Sequence, residues 1–449
     1  MNTKSVAICG AGLVGSLLAI YLKRRGYDIS VFERRPDMRK ANIGGGRSIN
    51  LALSNRGLQA LHEVGLEKEV RKMATPMHGR MMHDEQGNLN FQAYGKEGQF
   101  INSISRGGLN MLMMTKAEEM GAKFYFEHKI EKVDFEQTSI TFSQQTTADS
   151  RQSADNTKSF DLIIGADGAF SAVRSAMQIT DRFNYSQSYI EHGYKELSIP
   201  AADDGSFQLE KNALHIWPRK KFMLIALPNL DASFTVTLFL SMEGEISFAE
   251  LEKDEEILDF FKKYFPDALN KIPDLIHEFR SNPTSSLVTV RCYPWVKNKT
   301  FLIGDAAHAI VPFYGQGMNA GFEDCFVLNA LLDRYQDNWE KVLPEYQQLR
   351  KPDGDAIAEL ALNNFIEMRD KVADPKFLLQ KKIEAKLHAH YPDKWIPLYT
   401  MVTFSEEMRY SQALRQGNKQ QAIMDEVLNM PDVQNLWQKL DLATIIAKL

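Results

Sequence analysis

Residues 5–15 read Ser5-Val6-Ala7-Ile8-Cys9-Gly10-Ala11-Gly12-Leu13-Val14-Gly15, an apolar run that breaks into three spaced glycines. The run has strand character, and apolar positions with helical spacing follow over Leu13–Arg24. A second β-rich run, Asp28–Phe32, completes a β–α–β unit. Glycines at this spacing make a tight turn, let backbone approach a pyrophosphate, and let helix and strand pack closely. The helix N-terminus favours the phosphate charge. Glu33 closes the second strand, 23 positions after Gly10, where a carboxylate can bind ribose hydroxyls.

Two later stretches repeat the pattern of a buried strand delivering a carboxylate to a turn. The first is Asp161-Leu162-Ile163-Ile164-Gly165-Ala166-Asp167-Gly168, followed by Ser171 and Arg174. Alone, it reads equally as an ordinary turn. The second is Gly304-Asp305-Ala306-Ala307-His308, then Pro312 and Gly315-Gln316-Gly317-Met318-Asn319. Asp305 can accept from sugar hydroxyls, and a helix starting near Gly317 aims free N–H groups at what precedes it. His308 invites a reading as a base, but a structural histidine in the turn is the better one.

Between these motifs the chain changes character. A Gly/Arg-rich stretch at 43–47 precedes a helix from Asn55 to about Val64. Strands are expected over Met77–Asp84 and Gly87–Tyr94, then a helix over Arg106–Met120 stopped by Gly121. Residues 144–159 are polar and of low complexity, and read as an exposed hairpin tip. Antiparallel strands follow from Tyr185 to Val290, interrupted by a helix over Asp254–Tyr264, and from Gly317 the chain is almost all helix. The fold class is therefore α/β. A discontinuous Rossmann-like dinucleotide domain (1–75, 100–180 and 290–335) carries an inserted antiparallel-sheet substrate domain (76–99 and 181–289) and a helical C-terminal lobe (336–449).

The 449 residues carry 53 Lys+Arg against 58 Asp+Glu, a formal charge of −5. No concentrated basic surface exists for nucleic acid. Three scattered cysteines (Cys9, Cys292, Cys325) make neither a disulfide framework nor a metal knuckle, so no metal is expected and the chain reads as cytoplasmic. No apolar run reaches the roughly 18–20 residues of a membrane helix. The final stretch, Leu440 to Leu449, is amphipathic and too short to span, so stable membrane insertion is not expected and docking on the helical lobe is. An oligomer is compatible with the sequence.

The three motifs, in this order and at these separations, resemble the single-component FAD-dependent aromatic hydroxylases. A narrower similarity, to the kynurenine 3-monooxygenase family, covers nearly the whole chain. It rests on residues 46–54 (Gly46-Arg47-Ser48-Ile49-Asn50-Leu51-Ala52-Leu53-Ser54), Ile104-Ser105-Arg106, the run Pro312 to Asn319, Asn364-Phe365-Ile366-Glu367-Met368-Arg369 and Pro397-Leu398-Tyr399-Thr400. The resemblance implies bound FAD, with NADPH and O2 as co-substrates. It implies hydroxylation of L-kynurenine to 3-hydroxy-L-kynurenine through a C4a-hydroperoxide, a step of tryptophan catabolism and pyridine nucleotide biosynthesis.

By the same resemblance, FAD would meet Gly10, Gly12, Leu13, Val14 and Gly15, with Glu33, Arg34 and Arg35 near the adenosine ribose. Ala52, Arg106, Asp167, Asp305, Gly317, Met318 and Asn319 would complete its site. Arg80 stands in an apolar strand beside Met81 and Met82, a costly place for a charge without a mate. With Tyr94 it would hold the substrate carboxylate, Asn364 and Tyr399 would close the pocket, and Phe234, Phe313, Tyr314 and Met368 would keep water out. The substrate's own amino group activates the ring, so no protein base is required. Two rivals stand beside this reading. One is a relative of the same fold acting on a phenol or polyprenyl lipid; the other is a non-catalytic dinucleotide sensor.

Overall fold

The computed structural model describes residues 4–40, 50–96, 98–144, 156–368 and 374–449. The stretch 43–47, positions 46–49 of the similarity motif, most of the polar tip at 144–159, and Arg369 lie outside the described residues.

Ser5–Cys9 sits inside a six-stranded sheet, flanked by two parallel partners. Asp28–Phe32, the next strand in sequence, lies on one side; Leu162–Gly165, more than 150 residues later, lies on the other. Strand order therefore reverses at the C-terminal end of Ser5–Cys9. That is where an open α/β sheet leaves a crevice for a ligand. Thr300–Leu302 pairs with Leu162–Gly165 and delivers Gly304 and Asp305 to the same crevice.

The second large sheet has seven strands, in the order Ser285–Tyr293, Asn184–Ile199, Phe234–Ser241, Phe222–Pro228, Ala213–Arg219, Gly79–His83 and Leu89–Ala93. The hairpin at 79–93 enters it by a parallel pairing with Ala213–Arg219. Side-chain alternation gives this sheet two apolar faces. On one, Phe234, Val236, Leu238 and Leu240 pack with Ile257, Phe260, Phe261 and Phe265 of the following helices. The other faces the dinucleotide crevice.

On the helix-covered face His83 Nδ1 lies 2.8 Å from Asp267 and its Nε2 lies 2.9 Å from His215 Nδ1. His215 Nε2–H donates to the Glu210 carbonyl at 2.8 Å. Burial pushes His215 down to about 4 from its ordinary 6.5. The unfolded chain thus takes up a proton near pH 6.5 that the folded one refuses until near pH 4. Stability falls as pH drops through that window, by about 3 kcal/mol in full. Melting temperature is expected to decline over this range, and His215→Gln to flatten the decline. Parallel curves for both proteins would refute the assignment.

The helical lobe opens with the 28-residue helix Trp339–Ile366. At its far end Leu442, Ile445 and Ile446 of the C-terminal stretch pack on Ile383, Leu387, Trp395 and Met424. No helix among the described residues is long and apolar enough to cross a membrane.

Candidate active site

The crevice and the open face of the seven-stranded sheet enclose one cavity of about 390 Å³. The dinucleotide side contributes Gly12, Leu13, Val14, Ala52, Arg106 and Asp305, with Gly317 and Met318 at the start of a helix. The sheet and the helical lobe contribute Arg80, Tyr94, Met368 and Tyr399, and the turn Pro312–Tyr314 contributes Phe313.

The three glycines of the first turn do different things. Gly10 has φ +106°, and a Cβ there would stand 2.5 Å from the Ala166 carbonyl oxygen. A Cβ on Gly15 would meet the Gly10 carbonyl oxygen at 2.0 Å. Both are packing positions outside the cavity wall. Gly12 alone is open, with nothing within 4 Å of an added Cβ. Glu33 fastens this cradle, accepting from the Ala11 and Arg35 amides at 3.0 Å each. Arg34 and Arg35 are exposed beyond it.

Asp167 accepts from the Ala172 amide at 2.7 Å and the Val173 amide at 3.3 Å, capping the helix Ala172–Gln178. Its Oδ1 is buried without a partner, and burial pushes its pKa up. Arg174 donates to the carbonyls of Ala306 and Ala169, tying the loop after Asp167 to the one at Asp305. Asn319 stays behind the wall, donating to the carbonyls of Ala52 (2.8 Å) and Gly315 (2.9 Å) and accepting from the Ser54 amide. It holds in place the first turn of the helix Gly317–Arg334, whose leading N–H groups have no intrahelical acceptor.

His308 is structural. Its Nε2 meets Asp324 Oδ2 at 2.6 Å, and Arg350 Nε donates to the other carboxylate oxygen at 2.6 Å. Burial works against the imidazolium, but Asp324 outweighs it and raises His308.

At the sheet side, Arg80 forms no ion pair with the described carboxylates, and its Nε has no hydrogen-bond partner. Its guanidinium carbon lies 5.6 Å from the Tyr94 ring centroid and 5.0 Å from that of Tyr399. Tyr94 stacks on Tyr399 (5.2 Å, 12°), and Tyr399 on Tyr314 (5.7 Å, 16°). The Tyr94 hydroxyl is buried and unpartnered, and burial raises its pKa. Desolvation of this kind strengthens a cation's hold on an incoming anion. Asn364 does not line the cavity; its amide donates to the Phe313 carbonyl at 2.6 Å and so sets that wall.

Phe234 corrects the sequence expectation. It is fully buried on the helix-covered face, edge-on to Phe207 and His215, and does not reach the cavity. Strand parity is the reason: Thr237 and Phe239, at odd positions, line the cavity, while the even positions face the helices. The signal was present, since the even positions of Phe234–Ser241 are all apolar and the odd ones include Thr235, Thr237 and Ser241. Phe234→Ala is expected to cost about 3–5 kcal/mol of stability and leave substrate KM unchanged. A raised KM in folded protein would return Phe234 to the site.

The cradle fits FAD. Gly12 is open and lines the cavity, and the wall beside it presents Arg106, Asp305 and a helix N-terminus. A dinucleotide crevice that shares one cavity with an antiparallel sheet is the arrangement of the flavin-dependent aromatic hydroxylases. In line with this, residues 3–361 match the FAD binding domain family. The fold is similar to 2-methyl-3-hydroxypyridine-5-carboxylic acid oxygenase (TM-score 0.67, 19% identity, 84% of this chain and 95% of that one). The kynurenine 3-monooxygenases of Christiangramia forsetii and Flavobacterium johnsoniae are 53% and 52% identical to it, each alignment covering 99% of this chain and 98% of the relative. The chain belongs to the kynurenine 3-monooxygenase family of FAD-binding proteins.

Proposed function

We propose that this protein uses NADPH and O2 to hydroxylate L-kynurenine to 3-hydroxy-L-kynurenine. One observation carries the substrate reading: a desolvated guanidinium, Arg80, lies against two tyrosine rings and forms no ion pair with the described carboxylates. Such a group recognises a carboxylate, and the flat aromatic walls around it suit an aryl side chain. A polyprenyl lipid gives this cation nothing to bind. A sensor has no need of a dry chamber joined to a flavin cradle.

When bound, FAD supplies reducing equivalents taken from NADPH and an activated oxygen atom from O2. The chain's own residues bind, orient and exclude water. Arg80 and the Tyr94 hydroxyl hold the substrate carboxylate. Phe313, Phe239, Met223 and Met368 wall the aryl ring from solvent. Arg106, Asp305 and the first turn at Gly317 would hold the cofactor's polar groups, and Gly12 would admit its pyrophosphate. The aniline nitrogen of the substrate makes the neighbouring ring carbon electron-rich, so no side chain need remove a proton beforehand. The cytoplasm is part of this reading; three buried free thiols suit a reducing compartment.

Anaerobic mixing of the yellow holoprotein with NADPH tests the reading. L-kynurenine is expected to speed bleaching of the flavin absorbance by at least about tenfold, as an occupied pocket would shift the protein's population toward the state that NADPH reduces. Equal rates with and without it would remove L-kynurenine as substrate.

A further inference from the structure

The helix Asn55–Glu63 carries a buried arginine, Arg56, in its first turn. Nε donates to the Val402 carbonyl at 2.8 Å, and Nη2 to the carbonyls of Met401 (3.2 Å) and Met408. Two of these carbonyls end the short helix Leu398–Thr403, the one that presents Tyr399 to the cavity. Nη1 donates to Glu323 at 2.5 Å, on the helix that starts at Gly317. The guanidinium carbon lies 4.3 Å from the Tyr410 ring centroid. The Tyr410 hydroxyl donates to Gln316 at 3.0 Å, immediately before Gly317.

One guanidinium thus joins the element bearing Tyr399 to the element bearing the flavin-side turn, and does not itself line the cavity. Ordinary packing needs no charge here. An arginine with its donors spread over three carbonyls and a carboxylate fixes an orientation that a flexible apolar side chain does not. We infer that Arg56, with Tyr410, is a positioning residue that sets the distance between the Arg80–Tyr399 end of the cavity and the turn at Gly317. The inference rests on the proposed function only for the choice of substrate.

Arg56→Lys keeps the charge but spans fewer acceptors. In FAD-loaded Arg56→Lys without substrate, amide hydrogen exchange over residues 398–408 is expected to speed up roughly tenfold, with the strand Ser285–Tyr293 unchanged. KM for L-kynurenine is expected to rise roughly tenfold with kcat altered far less, and more peroxide to escape per NADPH. Tyr410→Phe removes only the bond to Gln316. It is expected to move the same quantities in the same direction by less, and it decides the matter if Arg56→Lys does not fold. A lower melting temperature with unchanged exchange and unchanged KM would mean a merely structural role and overturn the inference. If the wild type fails to oxidise L-kynurenine, the substrate reading falls and the exchange data alone judge Arg56.

Discussion

Arg80→Ala is expected to raise KM for L-kynurenine about a hundredfold while FAD content and melting temperature stay near wild type. A charge-assisted pair to a carboxylate in a desolvated site contributes about 3 kcal/mol, which at about 1.4 kcal/mol per decade is two orders of magnitude. The protein itself loses little, because Arg80 forms no ion pair with the described carboxylates and lies against tyrosine rings. Replacement removes a desolvated charge as well as a contact, and the two effects on stability oppose each other; Tyr94 and Tyr399, already stacked at 5.2 Å, are placed to close over the gap. A kynurenine analogue lacking the carboxylate should show the complementary behaviour, binding wild type and variant alike. Unchanged KM in folded Arg80→Ala would place the carboxylate elsewhere.

Gly12→Ala is expected to abolish FAD retention in a protein that still folds. The separation of these two effects follows from the turn's geometry. At Gly10 a methyl group would strike the Ala166 backbone, and at Gly15 it would strike the Gly10 carbonyl, so substitution at either breaks the fold. At Gly12 it meets nothing of the protein within 4 Å and projects where the pyrophosphate must approach. Purified Gly12→Ala should be colourless with a circular dichroism spectrum like that of wild-type apoprotein. A yellow Gly12→Ala would show that the cofactor runs along another path.

The dinucleotide end of the cavity was legible because its signals are local. Gly10 to Gly15 and Asp305 to Asn319 are contiguous segments whose backbone needs are written in glycine, and Gly10 at φ +106° is the plainest case. Arg80 was legible for another reason: a lone charge in an apolar strand needs a use. Phe234 was misplaced because an aromatic residue in a strand suits either face, and only the parity of the whole strand separates it from Phe239. Asp167, Glu33 and Asn319 were singled out for the cofactor, yet each first satisfies backbone groups of the turns around it. The cluster of Arg56, Glu323, Asp324, Arg350 and His308 was not assembled from sequence at all. Its partners lie as far as 267 positions apart, and no periodicity marks which buried charges meet.

The most direct measurement is oxygen tracing: holoprotein, NADPH and L-kynurenine under 18O2, with the product identified by mass spectrometry. The expected product is 3-hydroxykynurenine bearing one labelled oxygen, formed in proportion to the NADPH consumed. NADPH oxidation that yields labelled peroxide and leaves L-kynurenine intact would contradict the account.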